Sequence, residues 1–245
     1  MFSSVTPRDE EADADANTAG AGESLADPSP RATWPQALQK AAVVAGFFGL
    51  WLCAYDAVNA FAADPVRTIH LTSPASVFPW IIQPWTAVIY IIGGVIFPLV
   101  PFLYYRSWRG IAFVMACVTA SSLMSFAVYW AWPVSMVRPE FAGGTLGERV
   151  MLWIFLVDKP ANCFPSLHVN FAVLGAHLIG RAGAGRVAQR FWWAFAAAVS
   201  VTTVTSGQHY FIDVPGGVAV ALAGYTVGLW LVPPACPRLR PARSA

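Results

Sequence analysis

Six long apolar runs limit what this chain can fold into. Charged residues make up 11% of the sequence and hydrophobic residues 57%, whereas soluble domains carry about 25% charged residues. A backbone in lipid must satisfy its own hydrogen bonds, and these runs lack the alternating polar residues of a barrel strand. The sequence therefore predicts an all-α integral membrane bundle of six transmembrane helices. The runs cover residues 41–62, 84–105, 110–132, 163–180, 191–206 and 213–234.

The chain divides into a membrane domain and two tails. Residues 1–33 contain seven of the thirteen Asp and Glu residues, mixed with Ala, Gly, Ser and Pro. Such a segment buries too little apolar surface to offset its chain entropy, so a disordered acidic tail is expected. It has no basic start followed by an apolar stretch, which argues against a secretory signal peptide. We expect the six-helix membrane domain at 34–234 and a basic cytoplasmic tail at 235–245.

Charge and cysteine content exclude several classes of partner and cofactor. The net charge is +2 and the sequence contains no dense run of Lys or Arg, so no nucleic-acid partner is expected. The four cysteines are widely spaced, without a C-x-x-C pair or the spacing of a Cys/His metal site. Neither a disulfide scaffold nor a zinc site is predicted, and we expect no metal and no other cofactor. The oligomeric state is left open.

The distribution of Lys and Arg predicts the orientation in the membrane. With both termini in the cytoplasm, eleven of the fifteen basic residues lie in cytoplasmic segments. Cytoplasmic segments carry an excess of Lys and Arg, so this orientation is favoured, in a plasma or bacterial inner membrane. Loops 63–83, 133–162 and 207–212 then face the extracytoplasmic side. The four basic residues on that side are Arg67, Arg138, Arg149 and Lys159.

Polar residues interrupt the apolar pattern at three places, all on the predicted extracytoplasmic side. Arg138 and Pro139 follow the third run, residues 165–168 open the fourth, and the polar stretch 202–213 ends the fifth and reaches the sixth. Ionisable groups at membrane depth are costly and are usually functional. Three such clusters at one level indicate a functional site there.

The residue types in these clusters suit displacement at phosphorus. His209 and Asp213 are four residues apart, so on a helical turn the carboxylate can reach one imidazole nitrogen and leave the other free to attack. His168 supplies a second imidazole that can protonate a leaving alkoxide. Ser166 is expected at an anion-binding helix N-terminus, with the preceding proline at the first helical position. Arg138 can donate two hydrogen bonds to phosphoryl oxygens. Together these groups describe in-line attack with a phosphohistidine intermediate.

Three short motifs in this order resemble a known family. Arg138-Pro139, Pro165-Ser166-Leu167-His168 and His209-x-x-x-Asp213 resemble the three signatures of the type-2 phosphatidic acid phosphatase superfamily. The resemblance covers about residues 40–234. It implies a six-helix membrane bundle with its active site at the outer leaflet, and an enzyme that acts on the phosphate group of a membrane lipid.

The resemblance also implies a role for each motif residue. His209 would be the nucleophile, Asp213 its orienting partner and His168 the general acid. Ser166 and Arg138 would bind the phosphoryl group. The implied reaction uses no cofactor, and its substrate is a membrane lipid within the bilayer.

The chain departs from the family pattern where cations are expected. The first signature begins with a Lys where this chain has Ala131, and the third has Ser-Arg where this chain has Thr202-Thr203. The Gly before the second signature's His is Leu167 here. A site with fewer cations suits a singly charged phosphodiester, because uncompensated charge in a low-dielectric pocket is expensive. The remaining His-His-Asp set resembles the inositol phosphorylceramide and sphingomyelin synthase branch. Four residues are candidates for partial compensation: Lys159, Arg149, Thr202 and Thr203.

Two enzymatic functions remain open from the sequence. The chain is expected to be a lipid phosphatase, or a transferase that moves a phospho-alcohol group from a phosphodiester donor to a lipid acceptor. Family membership favours the first and the missing cations favour the second. A transporter is disfavoured because the polar groups lie at one face, and no inverted repeat is visible. A non-catalytic lipid-binding protein is disfavoured because the histidines and the aspartate are all present.

Overall fold

Helices make up most of the fold. The computed structural model describes residues 33–62, 69–71, 74 and 78–233. The predicted tails lie outside the described residues except for Thr33. The helices are α1 (Trp34–Ala62), α2 (Ala87–Leu99), α3 (Pro101–Tyr104), α4 (Trp108–Ala131), α5 (Leu146–Val157), α6 (Leu167–Arg181), α7 (Arg186–Thr205) and α8 (Asp213–Leu231). Two-residue strands β1 (Ile69–His70) and β2 (Val134–Ser135) pair in parallel, and short 3₁₀ helices cover Pro79–Ile81 and Pro84–Thr86.

Each predicted apolar run coincides with a helix or a pair of helices, which confirms the all-α membrane class. The second run divides between α2 and α3, because Pro101 begins a new helix after Leu99. Among the described residues, four helical segments are long and apolar enough to cross a membrane. They are Trp34–Phe61, Pro84–Tyr104, Trp108–Ala131 and Asp213–Leu231. Helix α6 has 15 residues and is about 22 Å long, short of a ~30 Å hydrocarbon core. The count of six spans stays a prediction.

Helix α5 was not predicted. It lies within the loop 133–162, and a capping box begins it: the Thr145 hydroxyl accepts a hydrogen bond from the Glu148 amide, and the Glu148 carboxylate accepts one from the Thr145 amide. This pair satisfies backbone donors that a helix start leaves without partners. With 12 residues, the helix is too short to stand out as an apolar run.

The central helix is α6, which packs against α2, α4, α7 and α8 and is buried along most of its length. Helices α4 and α8 pack closely against each other. Gly224 and Gly228 face Ser121 and Cys117, where an added Cβ would overlap the neighbouring helix. Small residues at such spacing let helices approach closely, and the resulting van der Waals contacts favour association in lipid, where the hydrophobic effect does not. Helix α1 lies at the edge of the bundle on α4, where the Trp51 indole donates to the Ser122 hydroxyl at 2.8 Å.

Hydrogen bonds between loops join the ends of these helices on one side of the bundle. The Met136 amide donates to the Pro160 carbonyl at 2.8 Å and the Cys163 amide to the Val134 carbonyl at 3.2 Å. The Tyr210 hydroxyl donates to the Ser135 carbonyl at 2.8 Å. The segment after α4, the segment before α6 and the loop before α8 therefore form one unit.

Candidate active site

His209 lies in the tight loop between α7 and α8. The amides of Gln208 and His209 both donate to the Thr203 carbonyl, at 3.2 and 3.0 Å. Gly207 has a φ of +75°, a conformation that residues with a Cβ rarely adopt, so glycine suits this turn. The loop holds the imidazole inside the bundle, where His209 is buried.

Asp213 holds one nitrogen of the His209 ring. Its Oδ2 lies 3.1 Å from Nδ1 and also accepts a hydrogen bond from the Tyr210 amide at 2.8 Å. The Cys163 carbonyl lies 3.0 Å from the same Nδ1. Because both neighbours of Nδ1 are acceptors, this network assigns the proton to Nδ1 and leaves a lone pair on Nε2. The expected contact is present, although it crosses a turn before α8 rather than running along a helix.

Ser166 is the N-cap residue of α6. Its Oγ accepts a hydrogen bond from the Val169 amide at 3.4 Å and lies 3.2 Å from Nε2 of His209. The hydroxyl proton can therefore be donated to the Nε2 lone pair. The first helical residue is Leu167, so the expectation that Pro165 occupies the first helical position was wrong. Pro165 precedes the cap, because the serine side chain takes the capping position.

His168 lies close to His209, in the first turn of α6. The two ring centroids are 6.1 Å apart. The His168 ring stacks on Tyr90, with centroids 3.8 Å apart and 23° between the planes. A Cβ at Gly94 would lie 2.7 Å from Nε2 of His168, so the glycine leaves room for the ring. Helix α2 thus sets the position of the second histidine.

The two histidines line a cavity of about 360 Å³. Its walls come from α1, α2, α5 and α6, and they are mostly apolar and aromatic. Three apolar residues both line the cavity and are exposed on the outer surface of the bundle: Leu52, Val95 and Val157. The cavity is therefore continuous with a surface that suits lipid chains. Its aromatic lining residues are Trp51, Tyr55, Tyr90, Trp153 and Phe171.

The structure does not bring Arg138 into the cavity lining. Its Nη1 donates to the Phe155 carbonyl at 3.0 Å and its Nη2 to the Asp158 carbonyl at 2.6 Å. The guanidinium also lies over the Phe155 ring, 4.4 Å from the centroid. Burial lowers the pKa of Arg138, and the Asp158 carboxylate opposes that shift. In this arrangement Arg138 satisfies carbonyls at the end of α5.

Thr202 and Thr203 also lie outside the cavity lining. Both are buried in α7, where their hydroxyls donate to the Val199 and Ser200 carbonyls at 2.9 and 2.7 Å. Thr203 contributes through its backbone, whose carbonyl holds the His209 loop. Of the four candidates for compensation, Lys159 lines the cavity, and Arg149 lies outside the lining.

Three polar residues of the lining were not predicted as site residues, although Gln208 lies within the polar stretch 202–213: Asp158, Asn162 and Gln208. Asp158 Oδ1 accepts hydrogen bonds from the Tyr55 hydroxyl at 2.8 Å and the Asn59 amide at 3.2 Å. Burial raises the pKa of Asp158, while the hydrogen bond from Tyr55 and the charge of Arg138 oppose that shift. These residues carry no sequence signal beyond their closeness to the motifs, because each lies in a loop whose direction depends on distant contacts.

No group of three or more His, Cys, Asp or Glu residues that could hold a metal ion occurs within the described part of the chain. Comparison with known proteins gives one family match. A model of the PAP2 superfamily matches residues 67–227, about two thirds of the chain. No curated protein and no solved structure matches the chain.

Proposed function

This chain belongs to the PAP2 superfamily, and we propose that it is a membrane enzyme that transfers a lipid-linked phosphoryl group through a phosphohistidine at His209. The family match confirms the type-2 phosphatidic acid phosphatase resemblance, and the four apolar helical segments fit a membrane protein of this type. The observation that carries the proposal is the pair of imidazoles, with ring centroids 6.1 Å apart, in the lining of one mostly apolar cavity. In His209, Nε2 is the attacking nitrogen, and Nδ1 lies 3.1 Å from the buried carboxylate of Asp213.

In the proposed first step, Nε2 of His209 attacks phosphorus. The Nε2–P bond forms as the P–O bond to the leaving alcohol breaks, and His168 donates a proton to that oxygen. The ring of His209 gains positive charge, which the Asp213 carboxylate at 3.1 Å stabilises. Ser166, 3.2 Å from Nε2, can turn its hydroxyl from the nitrogen to a phosphoryl oxygen as the substrate enters. Preorganised donors of this kind stabilise developing charge.

In the second step, an oxygen nucleophile attacks the phosphohistidine and releases His209. His168, now neutral, takes the proton from that nucleophile and is restored to its starting form. Water as the nucleophile makes the enzyme a phosphatase. A lipid alcohol makes it a phospho-alcohol transferase of the sphingolipid synthase type. The second candidate is favoured by the cavity lining, in which the charged side chains of the described residues are Lys159 and Asp158, one of each sign.

Product analysis tests the proposed function. We expect purified protein either to release inorganic phosphate from phosphatidate, or to form a new labelled lipid from a phosphodiester donor and a labelled lipid alcohol. Both products should disappear with His209→Ala. Product formation that does not depend on His209, or binding of both lipids without turnover by the unmodified protein, would reject the enzyme in favour of a lipid-binding or transport protein.

We also propose that both termini are cytoplasmic and that the site faces the extracytoplasmic side, because eleven of fifteen Lys and Arg then lie inside. The test uses cysteine tags at Ala142 and Gly185 in a background whose native cysteines are serine. A membrane-impermeant maleimide should label Ala142→Cys in intact cells and label Gly185→Cys only after permeabilisation. The reverse pattern would place the site in the cytoplasm.

A further inference from the structure

Two buried side-chain amides in the cavity lining have hydrogen-bonding capacity that the described residues leave unused. Asn162 is 8% exposed and Gln208 is 6% exposed. Among the described residues, Nε2 of Gln208 has no hydrogen-bond partner. The amide of Asn162 forms no hydrogen bond of standard geometry there, and it lies beside the Tyr55 hydroxyl. Both side chains line the cavity that contains His168 and His209. A buried polar group without a partner is costly, so such groups in a native fold call for an explanation.

The position of these amides suggests what they bind. Gln208 directly precedes His209 in the loop, and Asn162 is next to Cys163, whose carbonyl lies 3.0 Å from Nδ1 of His209. Both backbones are therefore tied to the nucleophile's own loop. Because a 180° turn of a side-chain amide exchanges the positions of its O and N atoms, Asn162 can direct its NH2 group toward a ligand in the cavity. The ligand that belongs beside His209 is the phosphoryl group.

The charges around the cavity limit the charge of that group. The guanidinium of Arg138 is engaged with two backbone carbonyls and lies outside the lining. Of the described lining residues, Lys159 is cationic and exposed, and Asp158 is anionic. One oxygen of Asp158 accepts two hydrogen bonds, and the carboxylate remains part of the cavity wall. A doubly charged phosphomonoester would face this carboxylate with little compensating charge, whereas a singly charged phosphodiester needs mainly hydrogen-bond donors.

Building on the proposed function, we propose that Asn162 and Gln208 form a neutral amide cradle that binds the phosphoryl oxygens and selects a singly charged phosphodiester over a doubly charged phosphomonoester. The cradle takes the place of cationic phosphate ligands. Its donors are Nδ2 of Asn162 and Nε2 of Gln208, and Ser166 adds a hydroxyl that lies 3.2 Å from Nε2 of His209.

A purely structural role for the two amides predicts different behaviour. Removing an unpaired amide from a packed wall should then change thermal stability without changing which anion binds. Asn170 provides the matched comparison, since it is fully buried, lacks partners for both amide atoms among the described residues, and lies outside the cavity lining. For Gln208 the comparison is Gln189, whose amide donates to the Ala184 carbonyl in the loop before α7.

The test measures binding of two non-reactive probes to purified protein in detergent. Dodecylphosphonate carries two negative charges at mildly alkaline pH, and dodecyl(methyl)phosphinate carries one. Neither has a leaving group, so binding is measured independently of turnover, and Trp51 and Trp153 in the lining provide a fluorescence signal. We expect the unmodified protein to bind the phosphinate at least as tightly as the phosphonate. Asn162→Leu and Gln208→Met should each weaken phosphinate binding about 5-fold to 10-fold, while Asn170→Leu and Gln189→Met leave it unchanged.

A charged variant tests selectivity, because it should strengthen binding of the doubly charged probe relative to the singly charged one. Gln208→Lys places a cation beside His209 and should shift the preference toward the phosphonate by about 10-fold. Unchanged affinities in both amide variants, or an equal loss in Asn170→Leu, would overturn the cradle, and so would an unmodified protein that prefers the phosphonate. An inactive protein that still shows these binding differences would reject the proposed function and leave the cradle standing. An active protein that lacks these binding differences would support the proposed function and reject the cradle.

Discussion

His209→Ala should abolish the phosphoenzyme and lower turnover by about four orders of magnitude or more, as expected when a covalent nucleophile is removed. The reason is geometric. Nδ1 of this ring is held by Asp213 Oδ2 at 3.1 Å and by the Cys163 carbonyl at 3.0 Å, so Nε2 is oriented as the attacking atom. The measurement is acid-labile, base-stable label on the protein after rapid quenching of a reaction with phosphorus-labelled lipid.

The matched control is His177→Ala. His177 lies on α6 as His168 does, but it contacts Tyr225, with ring centroids 4.3 Å apart, and lies outside the cavity lining. This variant should keep the phosphoenzyme and most of the turnover. Label that survives His209→Ala would contradict the assignment of the nucleophile. Label that is lost instead in His168→Ala would reverse the roles of the two histidines.

His168→Ala should lower turnover of an alkyl lipid ester by about three orders of magnitude, within the 10²–10⁴ range of general acid catalysis. An alkoxide is a poor leaving group and needs a proton as the P–O bond breaks. With a nitrophenyl ester the leaving group is stable as an anion, so the loss should shrink to about 10-fold. The measurement compares single-turnover rates of phosphoenzyme formation from the two esters, because this step contains the leaving-group departure.

Gly94 offers an independent way to disturb His168. In Gly94→Ala the new Cβ would lie 2.7 Å from Nε2 of His168, so the ring must move away from its position on Tyr90. We expect a smaller loss with the same dependence on leaving group. Gly46→Ala on α1, where the added Cβ meets nothing within 4 Å, should retain turnover. Equal losses with both esters in His168→Ala would show that this histidine is not the proton donor.

Helix class and family were predictable because both depend on local properties of the chain. Hydropathy sums over neighbouring residues, so the apolar runs indicated helices at the places where α1, α2, α4, α6, α7 and α8 lie. The motifs are equally local. Helix α5 was not predicted because its apolar stretch, residues 150–157, is much shorter than a membrane span. A capping box and packing on the 3₁₀ helix at Pro84–Thr86 stabilise it.

The contacts of loop side chains could not be predicted from neighbouring residues in the sequence. Arg138 follows a helix, and its motif predicts a phosphate ligand, yet in the fold it donates to carbonyls of Phe155 and Asp158. Those carbonyls are 17 and 20 residues away in sequence, so this pairing depends on how the loop after α4 meets the end of α5. No spacing rule indicates such a contact.

The sequence by itself determined the membrane class, the family and the pairing of His209 with Asp213, because each rests on neighbours within a run, a motif or one turn of chain. Only the tertiary structure decided which polar groups reach the cavity. Asn162 and Gln208 are 46 residues apart in the sequence, and both line the cavity because α7 and α8 pack on α6. Whether a buried donor has a hydrogen-bond partner depends on the residues around it, and in a helical bundle those residues are brought together by long-range packing.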